Sequence, residues 1–206
     1  MVRALADSAG AGLVEVASVT APGANLEDLW NEGTAVRRIR EGGWSLVVMQ
    51  QGPSSQRDGR RLLQEFTVKF AREIREQGGV PALYMVWPSR DRTQDFDATR
   101  GSYGAAAAAV DGALFPAAEA WRAAWRRDST LVLYSSDSLH PSRIGSYLTA
   151  LVMVSQILDR SPNELSARIS VDGASRYTLD IADPLVALLK DAAAEAIQKF
   201  GRQGKP

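Results

Sequence analysis

Apolar residues recur along this chain with two alternating periods, one of about 3.6 residues and one of runs and alternations typical of strands. Val2, Leu5, Ala6 and Ala9 predict a short helix over Met1 to Ala9, punctuated by Gly10 and Gly12. Val14, Val16 and Val19, interleaved with small or acidic residues, predict a strand from Leu13 to Val19. Asn25 is placed to cap a helix from Leu26, with Glu27 and Asp28 in its first turn. A second short helix, Thr34 to Glu41, stops at Gly42-Gly43. Trp44 to Gln50 then carries the uninterrupted apolar run Leu46-Val-Val-Met49. Such a run predicts a strand buried on both faces of a parallel sheet.

The pattern then repeats. Leu62, Leu63, Phe66, Phe70 and Ile74 form the apolar stripe of a helix from about Arg60 to Gln77. Val80 to Trp87 reads as a buried strand, Pro88 to Thr93 as a polar loop, and Phe96 to Val110 as an alanine-rich helix. Ala113 to Pro116 is a short strand, and Ala117 to Arg126 a helix with Trp121 and Trp125 at i, i+4. Leu131 to Tyr134 leads into a polar loop, and Pro141 opens a helix to about Leu158. The signal weakens beyond Ser161, until Asp183-Pro184 opens a last helix to about Phe200. The alternation predicts an α/β fold, a parallel sheet wrapped by helices on both faces, in one domain spanning residues 1–206. In such folds a central strand usually comes first. Here a helix does.

Composition narrows the function. Lys and Arg total 24, as do Asp and Glu, so no basic excess points to nucleic acid. The absence of cysteine removes disulfides, thiolate nucleophiles and Cys-ligated zinc. No apolar run approaches the ~20 residues of a membrane span, and the N-terminus lacks the apolar core of a signal peptide. As written the chain reads as soluble and cytoplasmic, with no membrane partner and no cofactor. Export stays open if Met1 is not the true start.

The chain holds one histidine, His140, in Tyr134-Ser-Ser-Asp-Ser-Leu-His-Pro141. Imidazole acid–base chemistry near neutral pH must therefore use His140, and Asp137 is spaced to support its ring. The same spacing equally suits a helix N-terminus with a capping aspartate, and local spacing does not separate the two. Three further loops follow strands, where parallel sheets bind ligands. Thr20 to Asn25 offers Gly23, whose N–H no side chain shields. The second loop offers the Gln50 and Gln51 amides as oxyanion donors, and it holds Ser54 and Ser55, nucleophiles by position only. The third loop offers Trp87 as an apolar wall, beside Arg90 and Arg92. Against these stand a plain strand-to-helix turn for the first loop, which is the favoured reading there, a polar loop cap for the second, and a solvated charged loop for the third, favoured for the two arginines.

Taken in order, these blocks resemble the SGNH/GDSL hydrolase family. They look most like the bacterial branch in which a buried strand ends in Leu-Gln or Met-Gln. The resemblance covers about residues 14–160, leaving 161–206 as a C-terminal helical extension. It implies a flavodoxin-like three-layer α/β/α sandwich. Asp137, His140 and Pro141 match the last block, which supplies the triad acid and base, and Gly145-Ser-Tyr147 matches its Gly-x-Tyr continuation. Gly23 matches the oxyanion glycine, and Gln50 or Gln51 stands where the family has asparagine. The implied activity is hydrolysis of a small-molecule ester, including acyl groups on carbohydrate.

The family's first block, a strand ending in Gly-Asp-Ser or Gly-Asn-Ser with the nucleophile, has no match. Ser8, in Ala6-Asp7-Ser8, falls within the first predicted helix and is assigned no catalytic role. The expectation is that the first strand and its serine lie upstream of Met1, leaving this chain inactive as written. The alternative is a catalytically dead ligand-binding module on the same fold. A flavodoxin-like phosphate or nucleotide binder is a weaker rival, since no Gly-x-Gly-x-x-Gly or Gly-Lys-Ser/Thr loop is present.

Overall fold

A computed structural model describes residues 1–10, 12, 14–172 and 176–204. In chain order its elements are α1 (Val2–Ser8), α2 (Leu26–Glu32), α3 (Thr34–Arg40), β1 (Leu46–Met49), α4 (Arg57–Glu76), β2 (Val80–Tyr84), α5 (Phe96–Ala109) and β3 (Ala113–Phe115). They continue with α6 (Ala117–Arg127), α7 (Arg143–Leu158), β4 (Arg168–Val171), β5 (Tyr177–Asp180) and α8 (Leu185–Phe200). The chain divides into two compact units, each discontinuous in sequence: Met1–Ala17 with Ala117–Phe200, and Ser18–Pro116 with Gly201–Pro206.

The second of these units holds a three-stranded parallel sheet in the order β1-β2-β3. Leu46 pairs with Val80 and Met49 with Leu83, then Ala82 with Ala113 and Tyr84 with Phe115. Parallel neighbours need crossovers, and α4 and α5 supply them. Helix α4 turns Leu63, Phe66, Phe70 and Ile74 inward, as its stripe predicts. Asn25 caps α2 through a reciprocal box, with Asp28 N–H to Asn25 Oδ1 at 3.0 Å and Asn25 N–H to Asp28 Oδ2 at 2.9 Å. The fold class is therefore α/β with a parallel sheet and flanking helices, as expected.

Three expectations need correction. Of the strand predicted over Leu13 to Val19, Leu13 lies outside the described residues, and 14–19 form no ladder. A strand persists only where its N–H and C=O groups find a partner. The valine alternation is present there, but among the described residues no strand pairs with it, and Val16 is exposed. The second concerns β1, which pairs with β2 alone among the described residues, so Leu46, Val47 and Val48 are half-buried rather than enclosed on both faces. Third, residues 161–206 are not only helical. β4 and β5 form an antiparallel pair, Ile169 opposite Leu179, with Ile169 and Val171 alternating inward. Each strand has four residues, too few for periodicity to register against the surrounding polar residues.

The unit that includes α6 and α7 is organised around aromatic rings. Trp121 meets Trp125 edge-on at 5.7 Å and Tyr134 at 5.0 Å, while Trp125 stacks on Tyr134 at 5.7 Å. The indole N–H of Trp121 donates to Gly145 O at 3.3 Å, and that of Trp125 to Leu131 O at 3.0 Å. The i, i+4 tryptophans thus hold the segment 131–134 by rings and by backbone. Gly145 permits this closeness. A Cβ there would overlap Leu133 O and stand 2.7 Å from Trp121 Cζ2. Replacing Gly145 with Ala should therefore cost at least about 2 kcal/mol through overpacking. Denaturant unfolding of both forms checks this, and equal midpoints would contradict it.

Candidate active site

The segment 131–134 returns on itself through a tight loop. Tyr134 and Pro141 form an antiparallel bridge, Ser142 N–H donates to Leu133 O at 2.8 Å, and Ser135 N–H donates to His140 O at 2.8 Å. The Asp137 carboxylate fills the space so enclosed. Its Oδ1 accepts from Ser135 Oγ at 2.7 Å, from Leu139 N–H at 2.9 Å and from His140 N–H at 2.9 Å. Its Oδ2 lies 2.6 Å from His140 Nδ1. Aspartate suits this place because its short side chain reaches main-chain amides two and three residues on. Ser138 completes the turn at φ +60°.

These bonds hold the Asp137 carboxyl well below its usual range. The Ser135 hydroxyl contributes most, then the Leu139 amide, the His140 ring and the His140 amide. An ionised carboxylate only accepts, so the Nδ1 facing it carries a proton. In neutral His140 the lone pair then falls on Nε2. The His140 side chain is 72% exposed, and among the described residues Nε2 makes no hydrogen bond. The pair is thus oriented, hydrogen-bonded and open to a reactant. The capping alternative does not apply. Helix α7 is capped by Ser142, whose Oγ accepts from Gly145 N–H at 3.0 Å, and Pro141 precedes that cap rather than occupying the first helical position.

The sheet-bearing unit places the other candidates. Gly23 lies at φ +71° in the turn closed by Ala24 N–H to Ala21 O at 3.2 Å. That conformation suits glycine, and Pro22 before it pre-sets the turn. Gln50 is exposed and gives one amide hydrogen to Gln51 O at 2.6 Å. A primary amide has two, so one remains to donate. Gln51 is different: it is buried, and both its amide hydrogens are used, to Ser54 Oγ at 2.8 Å and Gly59 O at 2.9 Å. It has no donor left for an oxyanion.

The structure thus joins Asp137 to His140, and it ties Gln51 to the segment that starts α2. Ser54 is buried and bonded to Gly52 O at 2.9 Å, Ser55 donates to Asp95 at 3.0 Å, and Ser8 donates to Leu5 O of its own helix at 2.7 Å. Trp87 is buried against Tyr84, and Arg92 pairs with Asp95. Sequence reasoning missed Ser135. Its signal is a serine two residues before an aspartate in a turn.

No protein-family model matches the chain, and no curated protein matches it. Two solved structures do. A DUF4886 family protein from Bacteroides uniformis ATCC 8492 superposes with a TM-score of 0.63 at 18% identity, over 81% of this chain and 67% of that one. A protein from Slackia heliotrinireducens described as "a putative SGNH hydrolase" superposes with a TM-score of 0.55 at 26% identity, over 65% of this chain and 79% of that one. The first supports the fold alone. The second gives the fold an SGNH-like neighbour and the chain a distant similarity to a hydrolase.

The Asp137 geometry sets a pH dependence. Its folded-state pKa is depressed, so its stabilising contribution is complete above the ordinary carboxylate value of 3.8. It is lost as the pH falls from there through the lower folded value. Carboxyl NMR titration should show Asp137 ionised well below pH 3.8, and Asp137→Asn should flatten stability against pH in that acid window only. A normal titration would contradict the bonding described.

Proposed function

We propose that this chain carries the acid–base half of a serine ester hydrolase of the SGNH type. One observation carries the proposal, the 2.6 Å contact between Asp137 Oδ2 and His140 Nδ1 with Nε2 left open. In this reading a serine hydroxyl attacks the ester carbonyl, and His140 Nε2 takes its proton. The same nitrogen then returns that proton to the leaving alcohol, and repeats the cycle with water to release the acid. Asp137 stays ionised, fixes the tautomer and stabilises the imidazolium. The proposed oxyanion donors are the Gly23 N–H and the free amide hydrogen of Gln50. The substrate class is a small acyl or acetyl ester, with acylated carbohydrate as one such class.

We assign the nucleophile to none of the three serines the sequence raised, since Ser8, Ser54 and Ser55 each donate to another group of the chain, Leu5 O, Gly52 O and Asp95. We place it on a strand that would add to the open edge of β1. That edge, unpaired among the described residues, the half-buried Leu46, Val47 and Val48, and the unladdered stretch 14–19 support the placement.

Two experiments test the reading. A fluorophosphonate probe should leave the 206-residue chain unlabelled, and a labelled serine within it would sink the nucleophile assignment. With a strand ending in Gly-Asp-Ser fused ahead of Met1, the protein should hydrolyse p-nitrophenyl acetate. His140→Ala should then lower kcat/KM by ~10³-fold or more, and Asp137→Asn by up to ~10⁴-fold by favouring the wrong tautomer. Undiminished turnover in His140→Ala would remove the base assignment. Ester binding without turnover would instead mark a binding module on this fold.

A further inference from the structure

The Gln51 side chain, 3% exposed, makes more contacts than a loop cap needs. Its Oε1 accepts from Leu26 N–H at 3.1 Å. Its Nε2 donates to Ser54 Oγ at 2.8 Å and to Gly59 O at 2.9 Å. One amide therefore ties three segments together: the first residue of α2, the bend after β1 and the first turn of α4. Leu26 N–H is among the donors that a helix start leaves without an internal partner. Asn25 serves Asp28, and Gln51 serves Leu26 from 25 residues away.

The surroundings hold Gln51 in this role. Tyr103, fully buried, donates its hydroxyl to Gln51 O at 2.7 Å and accepts Gln51 N–H at 3.3 Å. Burial pushes that phenol far above its usual pKa, so it remains a donor at any ordinary pH. Ser54 is held at φ +56°, and Ser102 Oγ lies 2.8 Å from its carbonyl. A Cβ at Gly59 would stand 3.2 Å from Ser54 Cα, so glycine lets α4 approach closely. Only glutamine satisfies this site. Glutamate lacks both donors, asparagine is one methylene short, and methionine has neither donor nor a strong acceptor.

We propose that Gln51 is a positioning residue that locks the start of α2, and with it the Gly23 turn three residues upstream, to the end of β1. The lock sets the Gly23 N–H relative to Gln50. Only the naming of Gly23 and Gln50 as oxyanion donors rests on the ester-hydrolase reading. The lock itself does not, and it can be tested without substrate.

The test is amide hydrogen exchange by NMR on the 206-residue chain and on Gln51→Met. Exchange at Leu26 and Ala24 should accelerate at least tenfold. The amides of Met85 and Leu114, which donate to Phe115 and Arg202, should change less than twofold. The Gly23 amide and the Gln50 side-chain amide resonances should shift, while those of β2 and β3 stay. Uniform acceleration, or an unchanged Leu26, would overturn the proposal. Should Gln51→Met fail to fold, Ser54→Gly relieves the left-handed strain and removes one anchor. It should speed Leu26 exchange at least threefold with the same local pattern, and an unaltered Leu26 would overturn the lock equally. Failure to hydrolyse esters would leave these results untouched, so the two readings fail separately.

Discussion

The candidate site depends on one carboxylate accepting four hydrogen bonds. Asp137 gathers a hydroxyl, two main-chain amides and a ring nitrogen within a six-residue turn. Each bond to an ionised acceptor is stronger than a neutral one. Together they oppose the entropy of ordering an exposed loop. The same bonds that shape the turn keep the carboxyl ionised and set the imidazole tautomer. Structure and chemistry here are one set of contacts, so a substitution at Asp137 alters both.

A turn of this kind needs a rigid base. Trp121, Trp125 and Tyr134 supply it by packing edge-on and stacked beneath the segment 131–134. Gly145 lets α7 press against Leu133, and Ser142 caps the helix where the loop ends. Tyr147, one turn further on, donates its hydroxyl to Ser166 O at 2.8 Å, and burial raises its pKa to about 12. The exposed dyad therefore stands on the buried Trp121 and Tyr134 and the half-buried Trp125. Its precision comes from below, because the ring itself is largely exposed.

Much of this was legible in the chain, for physical reasons that differ by element. The α4 stripe and the Asn25 cap are local signals, readable because i, i+3 and i+4 neighbours decide them. Asp137 and His140 were legible as a pair for the same reason, being three residues apart. The valines of 14–19 show the opposite case. Alternation says which residues fit a strand, but pairing is decided by a partner distant in sequence. The hairpin of β4 and β5 was hidden because four-residue strands carry too few alternations. The framework duty of Gln51 is hidden for a related reason. The three partners of its side chain, Leu26, Ser54 and Gly59, include one 25 residues away, and adjacent glutamines look alike in sequence while burial makes them opposites.

In the proposed reading, where Gln50 is an oxyanion donor, that difference between Gln50 and Gln51 separates two duties. A single amide has two hydrogens and one carbonyl. It cannot both hold a loop against a helix start and keep a donor free for a reactant. Two adjacent glutamines just after β1 can divide the work, because one is buried and the other exposed. The buried one spends all its capacity on the framework, and the exposed one retains a hydrogen. A chain with one residue at this position would have to hold the loop by other means. Here Tyr103 and Ser102 add further anchors to the same bend, so Gln50 is left with little structural duty beyond its single bond to Gln51 O.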